Sequence, residues 1–188
     1  MDHYTNRYKM ATLVTISKFL SKHLRHQPEA LGLTLETGGW VKVDDLLSAC
    51  QHYGFPITIS ELEKVVDTDN KQRYSFDETG EKIRANQGHS TQVEMDFQEV
   101  TPPSTLYHGT VEKFMDAILA EGLKKMNRHY VHLSRDLETA TKVGSRRGKP
   151  VILEVDAGAM HAVGYKFYCS ANGVWLTDAV PAFYLRKL

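Results

Sequence analysis

The chain has 188 residues, 41% of them apolar and 24% charged, with 23 Lys and Arg against 23 Asp and Glu, which is room for one domain or two of about 90 residues. No apolar run approaches the roughly 20 residues of a bilayer-spanning helix, and Met1-Asp2-His3-Tyr4 lacks a cationic-then-apolar leader. A membrane or secreted protein is therefore not expected, and a cytoplasmic one is.

Cys50 and Cys169 lie 119 positions apart in no redox or metal spacing, as suits a reducing compartment. The neutral charge is polarised: residues 31–101 hold six basic and thirteen acidic side chains, while residues 122–150 hold eight basic against two acidic. A local basic patch on a neutral chain points to a phosphorylated ligand or polyanion held at one site, although a solvated face gives the same count.

From Thr12 to His26, Leu13, Ile16, Phe19, Leu20 and Leu24 recur at helical spacing, and Pro28 stops the run. Arg25 and His26 fall at the C-terminal end of this helix, where the dipole also favours cations. Gly38-Gly39 precedes a short strand at Trp40–Val43, and Asp44–Tyr53 reads as a second helix. Ser60-Glu61-Leu62-Glu63 has the spacing of a capping box opening a third helix. Strands at 72–76 and 81–85 flank the turn Asp77–Gly80. Three helices closed by a hairpin describe a winged helix, a common nucleic-acid-binding fold.

Residues 86–104 are polar, contain Pro102-Pro103 and read as a linker, with the boundary near residue 100. Beyond it, Leu106-Tyr107-His108 reads as a strand end and Gly109-Thr110 as a turn. Glu112–Glu121 reads as a helix with Phe114, Ile118 and Leu119 inward, capped by Gly122. Tyr130–Ser134 reads as a strand with Arg128, His132 and Ser134 on one face, before a helix from Asp136 to about Arg147. Apolar runs at 151–155, 166–169, 174–177 and 183–186 read as further short strands, so the class is α+β.

Several groupings suit chemistry. Tyr107-His108-Gly109-Thr110 sets an imidazole beside a residue without a side chain, open to a ribose or amide, although a satisfied buried histidine fits equally. Lys142, Arg146, Arg147 and Lys149 suit a phosphate or pyrophosphate, or a solvated helix end. Neither G-x-G-x-x-G nor G-x-x-x-x-G-K-[ST] occurs, so a Rossmann site or P-loop is not expected. His108, His129 and His132 lack a Cys or acidic ligand at zinc spacing, and no metal is expected.

The ordered set Leu24-Arg25-His26, Gly39-Trp40-Val41, Arg73-Tyr74, Tyr107-His108-Gly109-Thr110, Arg128 with Val131–Ser134, Val143-Gly144 to Gly148, and Asn172–Thr177 resembles the RNA 2'-phosphotransferase family from about Ile16 to Leu188. The resemblance implies a winged-helix RNA-binding lobe over 1–100 and an NAD-binding lobe of the ADP-ribosyltransferase fold over 101–188; a monomer is expected. It implies two substrates, NAD+ and an RNA bearing an internal 2'-phosphate of the tRNA splice-junction type. The phosphate attacks the anomeric carbon of NAD+ and expels nicotinamide. The ribose 2''-hydroxyl then attacks that phosphate, giving 2'-OH RNA and ADP-ribose 1'',2''-cyclic phosphate.

The family's catalytic set falls on Arg25, His26, Arg73 and Arg128, with His129 adjoining the last. Guanidinium groups suit a phosphate dianion, and His26 serves either in proton transfer or as a phosphate ligand. Nicotinamide-riboside positions fall on His108, His132 and Val174, with Gly109, Thr110, Ser134 and Arg146 as further NAD+ contacts. Valine at 174, where protein-modifying relatives of the fold carry glutamate, agrees with an acceptor already anionic. Two other readings remain open: capping of terminal phosphates on RNA or DNA, and a noncatalytic NAD-sensing winged-helix module.

Overall fold

A computed structural model of the chain describes residues 12–188. Its first half carries helices α1 (Leu13–Arg25), α2 (Val43–His52) and α3 (Ile59–Thr68) and strands β1 (Trp40–Lys42), β2 (Tyr74–Phe76) and β3 (Lys82–Ala85). The strands form one antiparallel sheet in the order β1-β3-β2, with Val41 opposite Ile83 and Tyr74 opposite Ala85. The apolar stripe of α1 folds inward, so Ile16, Leu20 and Leu24 pack with Leu46, Leu62, Tyr74 and Ile83 in one core.

Helix α3 opens two residues earlier than the Ser60 capping box predicts. Thr58 is the cap: its hydroxyl accepts from the Glu61 amide at 3.3 Å, and Glu61 accepts from the Thr58 amide at 2.9 Å. The same serine-or-threonine-to-acid spacing fits both registers, and the buried stripe at Leu62 and Val65 selects the earlier one.

The second half contains β4 (Thr105–Val111), α4 (Met115–Glu121), β5 (Leu123–Lys124), β6 (Val131–Leu133), α5 (Leu137–Gly144), β7 (Pro150–Asp156), α6 (Ala157–Ala162), β8 (Tyr168–Cys169), β9 (Trp175–Thr177), β10 (Ala179–Val180) and β11 (Leu185–Lys187). These strands pair as β11-β7-β4, β6-β9-β8 and β10-β5, all antiparallel. Leu106, Leu153, Val155, Met160, Phe167 and Trp175 anchor a second core. The class is α+β. Among the described residues, no helix is long and apolar enough to cross a membrane.

Three expectations change here. Gly109 and Thr110 are not a turn but the middle of β4, paired with Ile152 and Val151 of β7. A Cβ at Gly109 would sit 1.8 Å from the Ala140 carbonyl oxygen, so the glycine lets β4 lie against α5. Phe114 and Leu119 face outward, because a 3-10 turn at Glu112–Phe114 precedes α4 and rotates the pattern so that Met115 turns inward. Helix α6, unforeseen, is capped by Asp156, whose carboxylate accepts from the Ala159 amide at 2.9 Å.

The stretch read as a linker is packed. Asn86 and His89 are buried, the Ser90 and Thr91 amides donate to the Arg25 carbonyl, and the Gly38 amide donates to the Glu94 carbonyl at 2.7 Å. Val100 donates to the Phe167 carbonyl at 2.9 Å. Polar composition hides this, because the segment is fixed through backbone groups, which every residue type carries.

Candidate active site

Arg25 is the last residue of α1, and its guanidinium is largely buried. Nη1 reaches Ser21 Oγ at 3.4 Å, while Nε and Nη2 are buried without a partner. Burial lowers its pKa; Tyr74 opposes this, and nearby Arg73 and Arg128 add to it. Orphaned donors on a buried cation are costly, and an anion is the partner that completes them.

His26 caps the same helix, and its Nδ1 shares a 2.8 Å hydrogen bond with Ser90 Oγ. Partial burial first, then Arg25 and Arg128, hold the ring below its usual pKa and leave it neutral at pH 7. Arg73 enters β2 paired with Asp69, whose second oxygen accepts the Arg73 amide at 2.8 Å. Gln72 before it adopts φ +43°, a left-handed conformation that is uncommon for a residue with a side chain. Arg128 is not on a strand as the alternation predicts. β6 begins only at Val131, and Arg128 sits in the preceding loop. It still reaches the same place, with Nη1 3.4 Å from His132 Nδ1.

This contact favours one tautomer of His132. Arginine only donates, so His132 Nδ1 accepts and the neutral ring carries its hydrogen on Nε2, which is buried and unpartnered. Burial, then Arg128, Arg25 and His108, push its pKa to about 3, slightly opposed by the Tyr130 carbonyl. His108 Nδ1 lies 3.0 Å from the His132 carbonyl oxygen and donates to it, leaving His108 Nε2 as an acceptor. Burial, chiefly, keeps His108 neutral as well.

Arg25, His26, Arg73 and Arg128 thus converge from both halves of the chain, with His132 and His108 adjoining. The remaining NAD-contact candidates are spread out. Gly109 and Thr110 lie where β4 meets α5. Ser134 is half-buried and exchanges backbone hydrogen bonds of 2.7 and 2.8 Å with Tyr107. Arg146 is exposed in the 3-10 turn after α5. Val174 precedes β9, its amide donating to Ser170 Oγ at 3.1 Å. Among the described residues, no cluster of His, Cys, Asp or Glu is suited to a metal ion.

Two residues join that no motif flagged. Lys71 is exposed, yet desolvation and then Arg146 and Arg73 depress its pKa, and Asn172 Nδ2 donates to its carbonyl at 3.0 Å across the two halves. His89 lies buried near Arg25 and His129. Its one signal was a histidine following glycine inside a polar stretch, which local pattern cannot distinguish from loop. Among the described residues, Arg25, Lys71, Arg128 and Arg146 belong to no ion pair, whereas Arg84, Lys124 and Arg186 each hold a carboxylate. Beside Arg73, an open groove of about 600 Å³ is lined by Asp69, Gln72, Asn86 and, from the second half, Ala171.

A convergence of cations in which Arg73 holds Asp69 while Arg25 and Arg128 hold no carboxylate suits phosphate chemistry, and comparison with known proteins gives the same direction. Residues 11–179 match the model of the family described as RNA 2'-phosphotransferase, Tpt1 / KptA family. A protein of Nostoc punctiforme described as a probable RNA 2'-phosphotransferase is 58% identical over 94% of this chain and 97% of its own length. Proteins so described from Trichormus variabilis and Streptomyces coelicolor are 60% and 57% identical, over 96% and 92% of this chain and 99% and 94% of theirs. With the match running nearly end to end, and with its residues assembled into one cationic site, the chain belongs to the RNA 2'-phosphotransferase family.

Proposed function

We propose that the protein is an NAD+-dependent RNA 2'-phosphotransferase that removes an internal 2'-phosphate, of the kind left at a tRNA splice junction. The observation that carries this reading is Arg25: a buried guanidinium with two unpartnered donors, beside two further arginines and a neutral histidine. Within residues 12–100, the order β1-β3-β2 with three helices supports a winged-helix lobe that takes the RNA. The antiparallel sheets of 101–188 support an ADP-ribosyltransferase-like lobe.

Arg25, Arg73 and Arg128 hold the 2'-phosphate dianion and offset its charge as it is rearranged. His26, neutral at pH 7, hydrogen-bonds that phosphate or carries the proton between the ribose 2''-hydroxyl and the departing RNA 2'-oxygen. NAD+ supplies the electrophilic anomeric carbon and nicotinamide as leaving group. The residues fit its riboside: His108 Nε2 accepts from a sugar hydroxyl and His132 lies beside it, while Arg146 suits the pyrophosphate. In the first step the phosphate oxygen bonds to the anomeric carbon as the bond to nicotinamide breaks. In the second, the 2''-oxygen bonds to phosphorus, the P–O bond to RNA breaks, and RNA leaves with a 2'-hydroxyl.

Mass analysis of a 2'-phosphorylated oligonucleotide incubated with protein and NAD+ tests this. The expected products are nicotinamide, 2'-OH RNA and ADP-ribose 1'',2''-cyclic phosphate. An untouched 2'-phosphate rejects the assignment. Modification of a 5'-phosphorylated control instead replaces it with terminal capping, and NAD+ binding without nicotinamide release replaces it with sensing.

A further inference from the structure

We infer that one ordered water is built into the small cavity lined by His132 and His89, bridging His132 Nε2–H to a ring nitrogen of His89, so that His89 is a positioning residue for His132 and Arg128. The cavity measures about 10 Å³ and is walled by His89, His129 and His132, with Phe97, Tyr130 and Leu176 between them. That is about the space of a single water, which needs roughly 10–15 Å³ and two to four polar partners. The partners are present. His132 Nε2 and both ring nitrogens of His89 are buried with none of their own.

The proton count closes. His132 carries its hydrogen on Nε2, because Arg128 occupies Nδ1 as a donor. A neutral His89 has one bare nitrogen, so the water accepts from His132 and donates to His89. His129 donates through Nε2 to the Thr91 carbonyl at 2.7 Å, so its bare Nδ1 is a further acceptor among the residues that line the cavity. Burial, then Arg25, drives the His89 pKa to about 3, which keeps the ring neutral. The ring is also clamped: a Cβ at Gly39, which adopts φ +77°, would lie 2.9 Å from His89 Nε2. The next two amides are fastened to the Arg25 carbonyl at 2.8 and 3.2 Å. His89 therefore hands the position of α1 to His132, and His132 hands it to Arg128. Nothing in the reaction needs His89 to touch a substrate.

The kinetic arm rests on the proposed activity; the spectroscopic arm does not. In His89→Leu, which fills the space without a hydrogen bond, kcat on 2'-phosphorylated RNA is expected to fall about tenfold, the equivalent of one net hydrogen bond, with a smaller change in KM for NAD+. His89→Gln, which restores a polar partner, is expected to return to within about threefold of wild type. In long-range proton–nitrogen spectra of labelled histidine, wild-type His132 is expected to be protonated on Nε2, and that signal to shift in His89→Leu. Wild-type kinetics and an unmoved His132 signal in His89→Leu overturn the inference, as does a His132 protonated on Nδ1 or an atomic-resolution map with the cavity empty. If the wild-type protein shows no phosphotransferase activity, the functional reading fails, while the spectra and the map still decide the water.

Discussion

Arg25 shows how a residue can work against the stability of the protein that carries it. Two of its donors are buried without acceptors, so the folded chain bears a desolvation cost that a bound anion would relieve. Arg25→Met keeps the buried length and removes the charge. We expect its melting temperature to equal or exceed that of the wild type while turnover falls at least about a hundredfold; a variant that melts early and retains activity contradicts the assignment. The histidines give a second expectation. His89 and His132 bind their protons at about pH 3 when folded and near 6.5 when unfolded. Between those values the unfolded chain holds more protons, so stability rises with pH across the window and is complete above it. Below pH 6.5, acidification should remove about 1.4 kcal/mol per pH unit for each ring. Denaturant midpoints at pH 7, 6 and 5 measure this, and a flat series refutes it.

Secondary elements were readable wherever one local signal dominated. Helix α1 was legible because its stripe is regular and Pro28 bounds it; β2 and β3 were legible because a polar turn separates two alternating runs. Element order and type failed at α6, where Ala157-Gly158-Ala159 gives no periodic face and a single Asp156 cap begins the helix. They failed again at Gly109, where glycine signals a turn to local reasoning but answers to α5 across the sheet. This makes Gly109→Ala a severe test: with a Cβ landing on the Ala140 carbonyl, we expect a loss of about 3 kcal/mol by denaturation. Thr58→Ala, which removes only the cap of α3, should cost about 1 kcal/mol, whereas Ser60→Ala should be near neutral. Equal losses at the two positions would mean that the cap is misplaced.

At the scale of the molecule, the site draws on pieces more than a hundred residues apart, and that separation limited what the sequence could disclose. Arg25 and His26 stood out as a pair at a helix end, and Arg128 was placed through resemblance; that they meet is a property of the fold. Lys71 escaped notice because its place depends on Asn172, 101 positions later. If exposed Lys71 meets RNA phosphates, Lys71→Ala should raise KM for RNA but not for NAD+, and flatten the dependence of RNA KM on salt by about one counterion. Unchanged salt slopes would remove Lys71 from the interface.

The carbonyl of Arg25 receives two amides, from Ser90 and Thr91. A carbonyl oxygen has two lone pairs, and here both are taken, so the chain that crosses between the halves is moored to the residue whose guanidinium we propose as a phosphate ligand. Grip at one end of that residue and tension at the other share a single pivot. The crossing is thus a tendon rather than a leash, and lengthening it between positions 88 and 91 would slacken the hand as well as the arm.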